Sequence, residues 1–264
     1  MWEQLLFPVL SLGGLSFIFG AGLSLASRKF VVETDPRIEE VKDALPGVNC
    51  GACGYPGCDG LATAIVAGKA PVDACPVGGT AVAKNVSAIM GIYIETTEKK
   101  IAQVICRGDC EKAIDKYQYE GIADCVAASM LADGNKGCSY GCLGLGTCVR
   151  VCPFDAIHIT KKGIAEVDRE KCTACGLCVK ACPKNIIELI PMSSQVLVAC
   201  NSKDTGRIVR NNCQVGCIGC RICVKTCPVD AFIFENNLAR IDYNKCTNCE
   251  ECVKKCPTNA IISK

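Results

Sequence analysis

The sequence is poor in histidine and in aromatic residues. His158 is the single histidine among 264 residues, aromatic residues make up 5% of the chain, and Trp2 is the only tryptophan. One imidazole excludes zinc fingers built on two cysteines and two histidines, and it leaves little room for a stand-alone enzyme with an acid–base pocket. With so few rings, something other than aromatic side chains must fill the core.

Two further absences narrow the function. The sequence has no glycine-rich phosphate loop in a strand–helix setting, so we predict that this chain binds neither NAD nor flavin. The N-terminus lacks the basic start and the small-residue exit of a secretory signal peptide, so we expect its apolar segment to be retained.

Residues 4–27 contain no charged side chain, and such a run is long enough to cross a hydrocarbon core of about 30 Å as a helix. Glu3 precedes the run, and Arg28 and Lys29 follow it. Because the cytoplasmic flanks of membrane helices are enriched in lysine and arginine, we predict a single-pass anchor with the N-terminus outside and the rest of the chain in the cytoplasm. A buried core helix is the alternative.

Cysteine, in contrast, is abundant, with 25 residues. Secreted disulfide scaffolds are usually short and hold an even number of cysteines, whereas this chain is long and its count is odd. We therefore interpret the cysteines as metal ligands, in iron–sulfur clusters or in all-cysteine zinc sites.

The strongest pattern is C-x2-C-x2-C-x3-C-P, which begins at Cys172, Cys217 and Cys246. In this run three closely spaced thiolates hold one cubane cluster, and the fourth cysteine binds its neighbour. The segment 152–183 also matches the segment 227–257, which predicts two tandem ferredoxin-like modules. The predicted ligand sets of the second module are Cys217, Cys220, Cys223 and Cys256 for one cluster and Cys246, Cys249, Cys252 and Cys227 for the other.

The first module departs from this pattern, because its opening run has the spacing C-x3-C-x5-C-x3-C-P from Cys138. A zinc site or a vestigial site is the alternative for this loop. The predicted sets are Cys138, Cys142, Cys148 and Cys182 for one cluster and Cys172, Cys175, Cys178 and Cys152 for its neighbour.

A separate block has four cysteines surrounded by glycine and without histidine, which fits a 4Fe-4S cluster or a structural zinc site. Because the chain already holds four predicted clusters, iron is favoured. The block consists of Cys50, Cys53, Cys58 and Cys75.

Five cysteines remain. The apolar runs ending at Cys106 and Cys200 look like two strands that pair and bring these thiols together, and Cys125 and Cys213 would complete a sixth set. Cys110 is an alternative ligand, and ordinary buried thiols are the alternative to a cluster. We thus predict five 4Fe-4S clusters, with a sixth as an addition. Because each cluster with four thiolates carries about two negative charges, the formal charge of +2 falls well below zero, and nucleic acid is not an expected partner.

The predicted fold class is α+β: a transmembrane helix, a small helical 4Fe-4S domain and two tandem bacterial-type 2[4Fe-4S] ferredoxin-like modules. Short helices are expected at residues 35–45, 61–69 and 80–90, and a strand at 101–106. The predicted domains are the anchor (1–29), the N-terminal 4Fe-4S domain (30–95), a helical and strand connector (96–135), the first module (136–190), an inserted connector (191–212) and the second module (213–264).

Several stretches together resemble one family, and the likeness extends over essentially the whole chain. These are the charge-free N-terminal helix, N-C-G-A-C-G-Y-P-G-C at 49–58, Y-G-C-L-G-L-G-T-C-V-R-V-C-P-F-D-A-I at 140–157 and G-C-I-G-C-R-I-C-V-K-T-C-P at 216–228. They resemble the B subunits of Rnf complexes, which are ion-translocating ferredoxin:NAD+ oxidoreductases.

The resemblance implies an electron-transfer subunit in the cytoplasmic (inner) membrane of a prokaryote. It would take electrons from reduced ferredoxin and relay them to membrane and peripheral subunits of the complex, coupled to Na+ or H+ translocation, with hydride transfer in another subunit. It also implies that the Cys50, Cys53, Cys58 and Cys75 cluster lies nearest the membrane. The alternatives are a related complex that reduces an iron–sulfur transcription factor and, in another class, a zinc-binding scaffold.

Overall fold

The computed structural model describes residues 2–29, 35–93 and 98–264. The first element is helix α1 (Trp2–Lys29), which at 1.5 Å per residue is about 42 Å long. Within the described residues it is the one helix long and apolar enough to cross a membrane, over Leu10–Ser27, and the side chains of that stretch make almost no contact with the rest of the protein. The predicted domain boundaries at residues 30 and 95 lie outside the described residues.

A small helical domain follows, and its three helices confirm those predicted from the sequence. Their apolar faces enclose a core that contains Leu61, Ile65 and Val86, each at most 2% exposed. An ion pair of 2.7 Å between the Lys42 Nζ and an Asp59 carboxylate oxygen joins the first two helices. The helices are α2 (Arg37–Ala44), α3 (Gly57–Val66) and α4 (Gly79–Met90).

The first ferredoxin-like module consists of an outer antiparallel strand pair, an inner hairpin and two very short helices. Its core combines aliphatic side chains such as Ile101 and Ile187 with four buried cysteines, so thiols occupy the places that rings usually fill. The outer pair is β1 (Lys100–Val104) with β4 (Ile187–Pro191), the hairpin is β2 (Ile157–Ile159) with β3 (Ala165–Val167), and the helices are α6 (Thr147–Arg150) and α7 (Leu177–Ala181), preceded by α5 (Cys125–Ser129).

The second module repeats this plan. Its outer pair is β5 (Val196–Val198) with β8 (Ile261–Ser263), its hairpin is β6 (Phe232–Glu235) with β7 (Leu238–Ile241), and its short helices are α9 (Ile222–Thr226) and α10 (Glu251–Lys255), preceded by α8 (Gly206–Asn212). Both predicted connectors therefore contribute an outer strand to the module that follows them.

The predicted pairing of the strands before Cys106 and Cys200 is wrong. Ile101 of β1 lies opposite Ile190 of β4, and Leu197 of β5 lies opposite Ile262 of β8. Each outer strand closes its own module because it buries its apolar side chains against that module's core. Cys106 and Cys200 lie two residues beyond the ends of these equivalent strands.

Candidate metal centres

The cysteines are neither paired with one another nor arranged around single ions. All 25 are free thiols. In a four-cysteine zinc site the sulfurs lie about 2.3 Å from the metal, and therefore about 3.8 Å from one another. Among the described residues, no three His, Cys, Asp or Glu side chains form a group that fits one metal ion.

Two cavities are each lined by four cysteines that the sequence motif had grouped. One, of about 340 Å³, lies in the first module, and the other, of about 380 Å³, lies in the second. The lining cysteines are Cys152, Cys172, Cys175 and Cys178 in the first (the Cys172 group) and Cys217, Cys220, Cys223 and Cys256 in the second (the Cys217 group).

Burial makes these thiols hard to ionise in the absence of a metal. Desolvation raises the pKa of Cys178 to about 11, and the neighbouring thiolates of Cys175, Cys172 and Cys152 add to this shift. Desolvation likewise raises the pKa of Cys223 to about 12. A metal bound here must therefore displace protons from neutral thiols, since only thiolates are ligands.

The second ligand set predicted in the second module consists of Cys227, Cys246, Cys249 and Cys252 (the Cys246 group). Desolvation raises the pKa of Cys252 to about 11, and the charges of Cys249 and Cys246 are the next causes of this shift. These three thiols are therefore neighbours. Cys227 is the repeat equivalent of Cys152, which does line the cavity of its own group.

In the N-terminal domain Cys53, Cys58 and Cys75 all pack against the core. Burial raises the pKa of Cys75, and the thiolates of Cys58 and Cys53 contribute to that shift. Cys50 lies close enough to the first module for its charge to raise the pKa of Cys175, although burial of Cys175 is the larger cause. These four cysteines (the Cys50 group) therefore lie beside the Cys172 group.

A third cavity lined by four cysteines lies between the two modules. Its arrangement differs from the predicted sets. Cys138, predicted beside Cys142 and Cys148, lines this cavity instead, and Cys125, predicted for a sixth set, does not. The four cysteines that line it are Cys106, Cys138, Cys200 and Cys213 (the Cys200 group).

Cys125 lies with the remaining cysteines of the first module. Desolvation raises the pKa of Cys148 to about 12, and the next causes are the charges of Cys142, Cys125 and Cys182. The backbone N–H of Cys125 donates to the Thr147 hydroxyl oxygen at 2.7 Å, which holds Cys125 against the helix that carries Cys148. Cys125, Cys142, Cys148 and Cys182 form the Cys125 group.

The repeat explains why Cys125, and not Cys138, lies beside Cys142. It also contains the sequence signal from which this difference can be predicted. When the modules are aligned without gaps, Cys142, Cys148 and Cys152 match Cys217, Cys223 and Cys227, and Cys138 matches Cys213. Leu145 then stands where the second module has Cys220. The first module therefore lacks one ligand of the motif, and Cys125 supplies a thiol from the preceding segment.

Asp124 positions Cys125. Its carboxylate caps α5 by accepting from the N–H groups of Val126 (2.8 Å) and Ala127 (3.0 Å), and it also accepts from the Thr147 hydroxyl and the Arg150 guanidinium. These hydrogen bonds, the Ala127 N–H first among them, hold the pKa of Asp124 below its usual range.

We expect Asp124→Ala to destabilise the first module by about 1 kcal/mol, the usual effect of losing a helix cap. For a chain of this size that corresponds to a melting temperature lower by roughly 2–4 °C. Asp124→Asn is the matched control, because asparagine keeps the capping oxygen. Anaerobic thermal unfolding of the metal-loaded chain measures both. Equal stabilities of the alanine variant and the unsubstituted chain would show that the cap does not hold this segment.

Three family models match the chain. An Fe-S cluster family matches residues 45–77, and two 4Fe-4S dicluster domain models match residues 138–189 and 216–260. The matched segments contain the Cys50 group and most of the cysteines of the two modules. The chain thus carries three iron–sulfur domains in tandem.

Relatives with curated names are similar over most of the chain. The B subunit of the Na+-translocating ferredoxin:NAD+ oxidoreductase complex of Acetobacterium woodii is 52% identical, over 93% of this chain and 74% of the relative. The B subunit of the ion-translocating oxidoreductase complex of Methanosarcina acetivorans is 44% identical over 93% of each chain. That of the proton-translocating ferredoxin:NAD+ oxidoreductase complex of Clostridium ljungdahlii is 46% identical, over 88% of this chain and 82% of the relative. The chain belongs to the family of B subunits of ion-translocating oxidoreductase (Rnf) complexes.

Proposed function

We propose that this chain is the electron-relay subunit of a membrane-bound ferredoxin:NAD+ oxidoreductase coupled to Na+ or H+ translocation. It takes electrons from reduced ferredoxin and passes them through 4Fe-4S clusters to membrane partners. The observation that carries the proposal is that motif cysteines surround cavities of similar size in both modules of a chain whose relatives bear this name. The proposed cluster ligands are the Cys50, Cys125, Cys172, Cys217 and Cys246 groups.

The chain's own residues hold the clusters and set their surroundings. Cubane clusters, when bound, exchange one electron at a time, at potentials that depend on burial and on hydrogen bonds to sulfur. The N–H of Ala102 donates to the Cys172 Sγ at 3.3 Å, and the N–H of Ala231 donates to the Cys227 Sγ at 3.3 Å. Such donors stabilise negative charge on the ligands. Hydride transfer to NAD+ belongs to another subunit.

The anchor supports a place at the cytoplasmic membrane with the N-terminus outside. Helix α1 is long enough to span the hydrocarbon core, and Arg28 and Lys29 follow its apolar part. Only a short segment separates α1 from the domain of the Cys50 group, so a cluster in that group lies nearest the membrane. Its proximity to Cys175 connects it to the first module.

The exposed cysteines support electron entry at the second module. Cys220 and Cys249 are exposed, whereas Cys175, the equivalent of Cys249, is only half-exposed. An exposed cluster edge is accessible to a soluble carrier, and positive charges beside it steer an acidic partner into contact. Arg221, stacked on the Phe234 ring at 4.3 Å, and Lys225 provide such charges.

We expect Lys225→Glu to slow ferredoxin-driven reduction of the chain several-fold at low ionic strength, because the substitution replaces an attractive charge with a repulsive one. The difference should disappear near 1 M salt, where the Debye length is about 3 Å. Stopped-flow absorbance measures the rate. Lys161→Glu, an equally exposed charge reversal in the first module, is the control. Equal slowing by both variants would place the docking surface elsewhere.

The function itself is tested with reduced ferredoxin and the anaerobically purified full-length chain. Ferredoxin should bleach the visible absorption of the chain and produce EPR signals of reduced clusters. Added NAD+ should remain unreduced by the isolated chain and become NADH in the intact complex. The proposal would be contradicted by a chain that accepts no electrons from ferredoxin. It would also be contradicted by a complex that reduces no NAD+ in a single turnover, and that result would favour a reductase of an iron–sulfur transcription factor.

A further inference from the structure

We propose that the Cys200 group holds a sixth 4Fe-4S cluster between the two modules. These four cysteines line one cavity, as do the four cysteines of the Cys217 group and the four of the Cys172 group. The Cys200 group thus lines a cavity in the same way as the two groups that carry the motif. Three of the four cysteines also lie outside the segments matched by the dicluster models, so no motif accounts for them.

The site is symmetric with respect to the repeat, since each module contributes the same two positions. Cys106 and Cys200 follow equivalent outer strands, where the N–H of Ile105 donates to the Ile186 carbonyl and that of Ala199 to the Ala260 carbonyl, both at 2.8 Å. Cys138 lies four residues before Cys142, and Cys213 lies four residues before Cys217, its equivalent in the repeat. Two equivalent pairs of thiols thus face each other across the boundary between the modules.

Two cationic side chains, Arg107 and Lys136, and one carboxylate, Asp204, line the cavity, so its lining has a positive balance that suits an anionic occupant. Lys136 is 5% exposed, and its ammonium donates to the Gly108 carbonyl. In the described part of the chain no carboxylate lies within ion-pair distance of this ammonium. A buried ammonium without a negative partner is strongly destabilising. A cluster with four thiolates carries about two negative charges and would supply that partner.

The position of Gly108 connects this lysine to the sulfurs. A Cβ built on Gly108 would lie 3.4 Å from the Cys213 Sγ and 3.8 Å from the Cys106 Sγ. The carbonyl that accepts from Lys136 therefore belongs to a residue packed against two of the four thiols. A side chain at this position would enter the space that the cluster needs.

Ligands of this site touch ligands of both modules. The N–H of Cys142 donates to the Cys106 Sγ at 3.4 Å, and the N–H of Cys217 donates to the Cys200 Sγ at 3.2 Å. The Cys200 group therefore lies between the Cys125 and Cys217 groups. A cluster here would join the two modules into one continuous relay; that role rests on the proposed function, whereas the existence of the site does not.

With this site assigned, every cysteine except Cys110 belongs to a group of four. Cys110 is exposed and lines none of the cysteine cavities. Cys110→Ala is therefore the matched control, because it removes a thiol of this region without removing a ligand.

The experiment measures iron and acid-labile sulfide per anaerobically purified full-length chain, together with the EPR spin count after reduction with dithionite. At four irons per cubane, six clusters require about 24 iron atoms and five require about 20. We expect about 24 for the unsubstituted chain and for Cys110→Ala, and about 20, with one spin fewer, for Cys138→Ala/Cys213→Ala. About 20 in the unsubstituted chain would overturn the site, whether or not the double variant folds, and so would about 24 in the double variant.

A second measurement separates the site from its role. In the double variant, ferredoxin should still reduce the clusters of the second module, whereas the clusters of the first module should be reduced much more slowly than in Cys110→Ala. Loss of four irons with unchanged reduction of the first module would keep the site and overturn the bridging role. Absence of any reduction by ferredoxin in the unsubstituted chain would contradict the proposed function and leave the iron count as the test of the site.

Discussion

Replacing Cys125 with alanine is expected to remove about four iron atoms from the chain, the content of one cubane, and to lower ferredoxin-driven electron transfer through the complex to background. The reason is that Cys125 supplies the ligand missing from the motif of the first module, where Leu145 stands in the place of a cysteine. A cluster with three thiolates in this buried site would be left with an unsatisfied iron. The Cys125 group lies in the middle of the chain of groups, so its loss interrupts the only relay through the described residues.

Double variants decide which cysteines share a cluster. Cys125→Ala/Cys142→Ala should lose about four irons, no more than either single variant, because both residues serve one cluster. Cys138→Ala/Cys142→Ala should lose about eight, because these residues serve two clusters. Cys110→Ala should lose none. A loss of about four irons on joint removal of Cys138 and Cys142, together with a loss of about eight on joint removal of Cys125 and Cys142, would restore the sets predicted from the order of the cysteines along the chain.

Gly144→Ala is expected to have the largest effect on folding among the glycine substitutions in the first module. Gly144 has a φ of +71° between two cysteines of the Cys125 group, and a Cβ there would collide with the backbone carbonyl of Gly163 in the turn of the inner hairpin. Left-handed backbone costs an alanine roughly 1–2 kcal/mol. The collision should add about 1–3 kcal/mol, as overpacking usually does.

Gly163→Ala is the matched control, because Gly163 also has a φ of +71° but a Cβ there would meet nothing within 4 Å. Anaerobic unfolding of the metal-loaded chains compares the two variants, and iron content reports whether the Cys125 group still assembles. Gly144→Ala should be clearly less stable than the control. Equal stabilities would mean that the loop moves away from the hairpin without cost.

Local patterns in the sequence were sufficient to predict the helices before residue 91 and the four cysteines of the Cys172 group and of the Cys217 group. The motif C-x2-C-x2-C-x3-C-P fixes three thiols within one loop and helix turn, so its geometry is determined by neighbours in sequence. The helices before residue 91 likewise follow from apolar spacing and from terminators such as Gly91, which has a φ of +67° at the end of α4.

Positions set by contacts between distant segments were not predictable in the same way. Cys125 reaches its group across 17 residues or more of chain, and the hydrogen bonds of Asp124 and Thr147 that hold it there involve no sequence periodicity. The sequence alone does not determine the partner of strand β1, because two apolar strands can pair in several ways and burial against each module's own core decides between them. Gapless comparison of the two repeats would have separated Cys138 from Cys142.

The most direct test of the central claim is the metal content and spectrum of the full-length chain purified without oxygen. The claim is that thiolates in groups of four hold cubane clusters that carry electrons from ferredoxin toward the membrane. We predict a brown protein with equal amounts of iron and acid-labile sulfide, about 20 atoms of each for the five proposed groups and about 24 with the Cys200 group, that loses colour when reduced ferredoxin is added. A folded chain that is colourless, holds zinc instead of iron and still supports ferredoxin oxidation by the complex would contradict it.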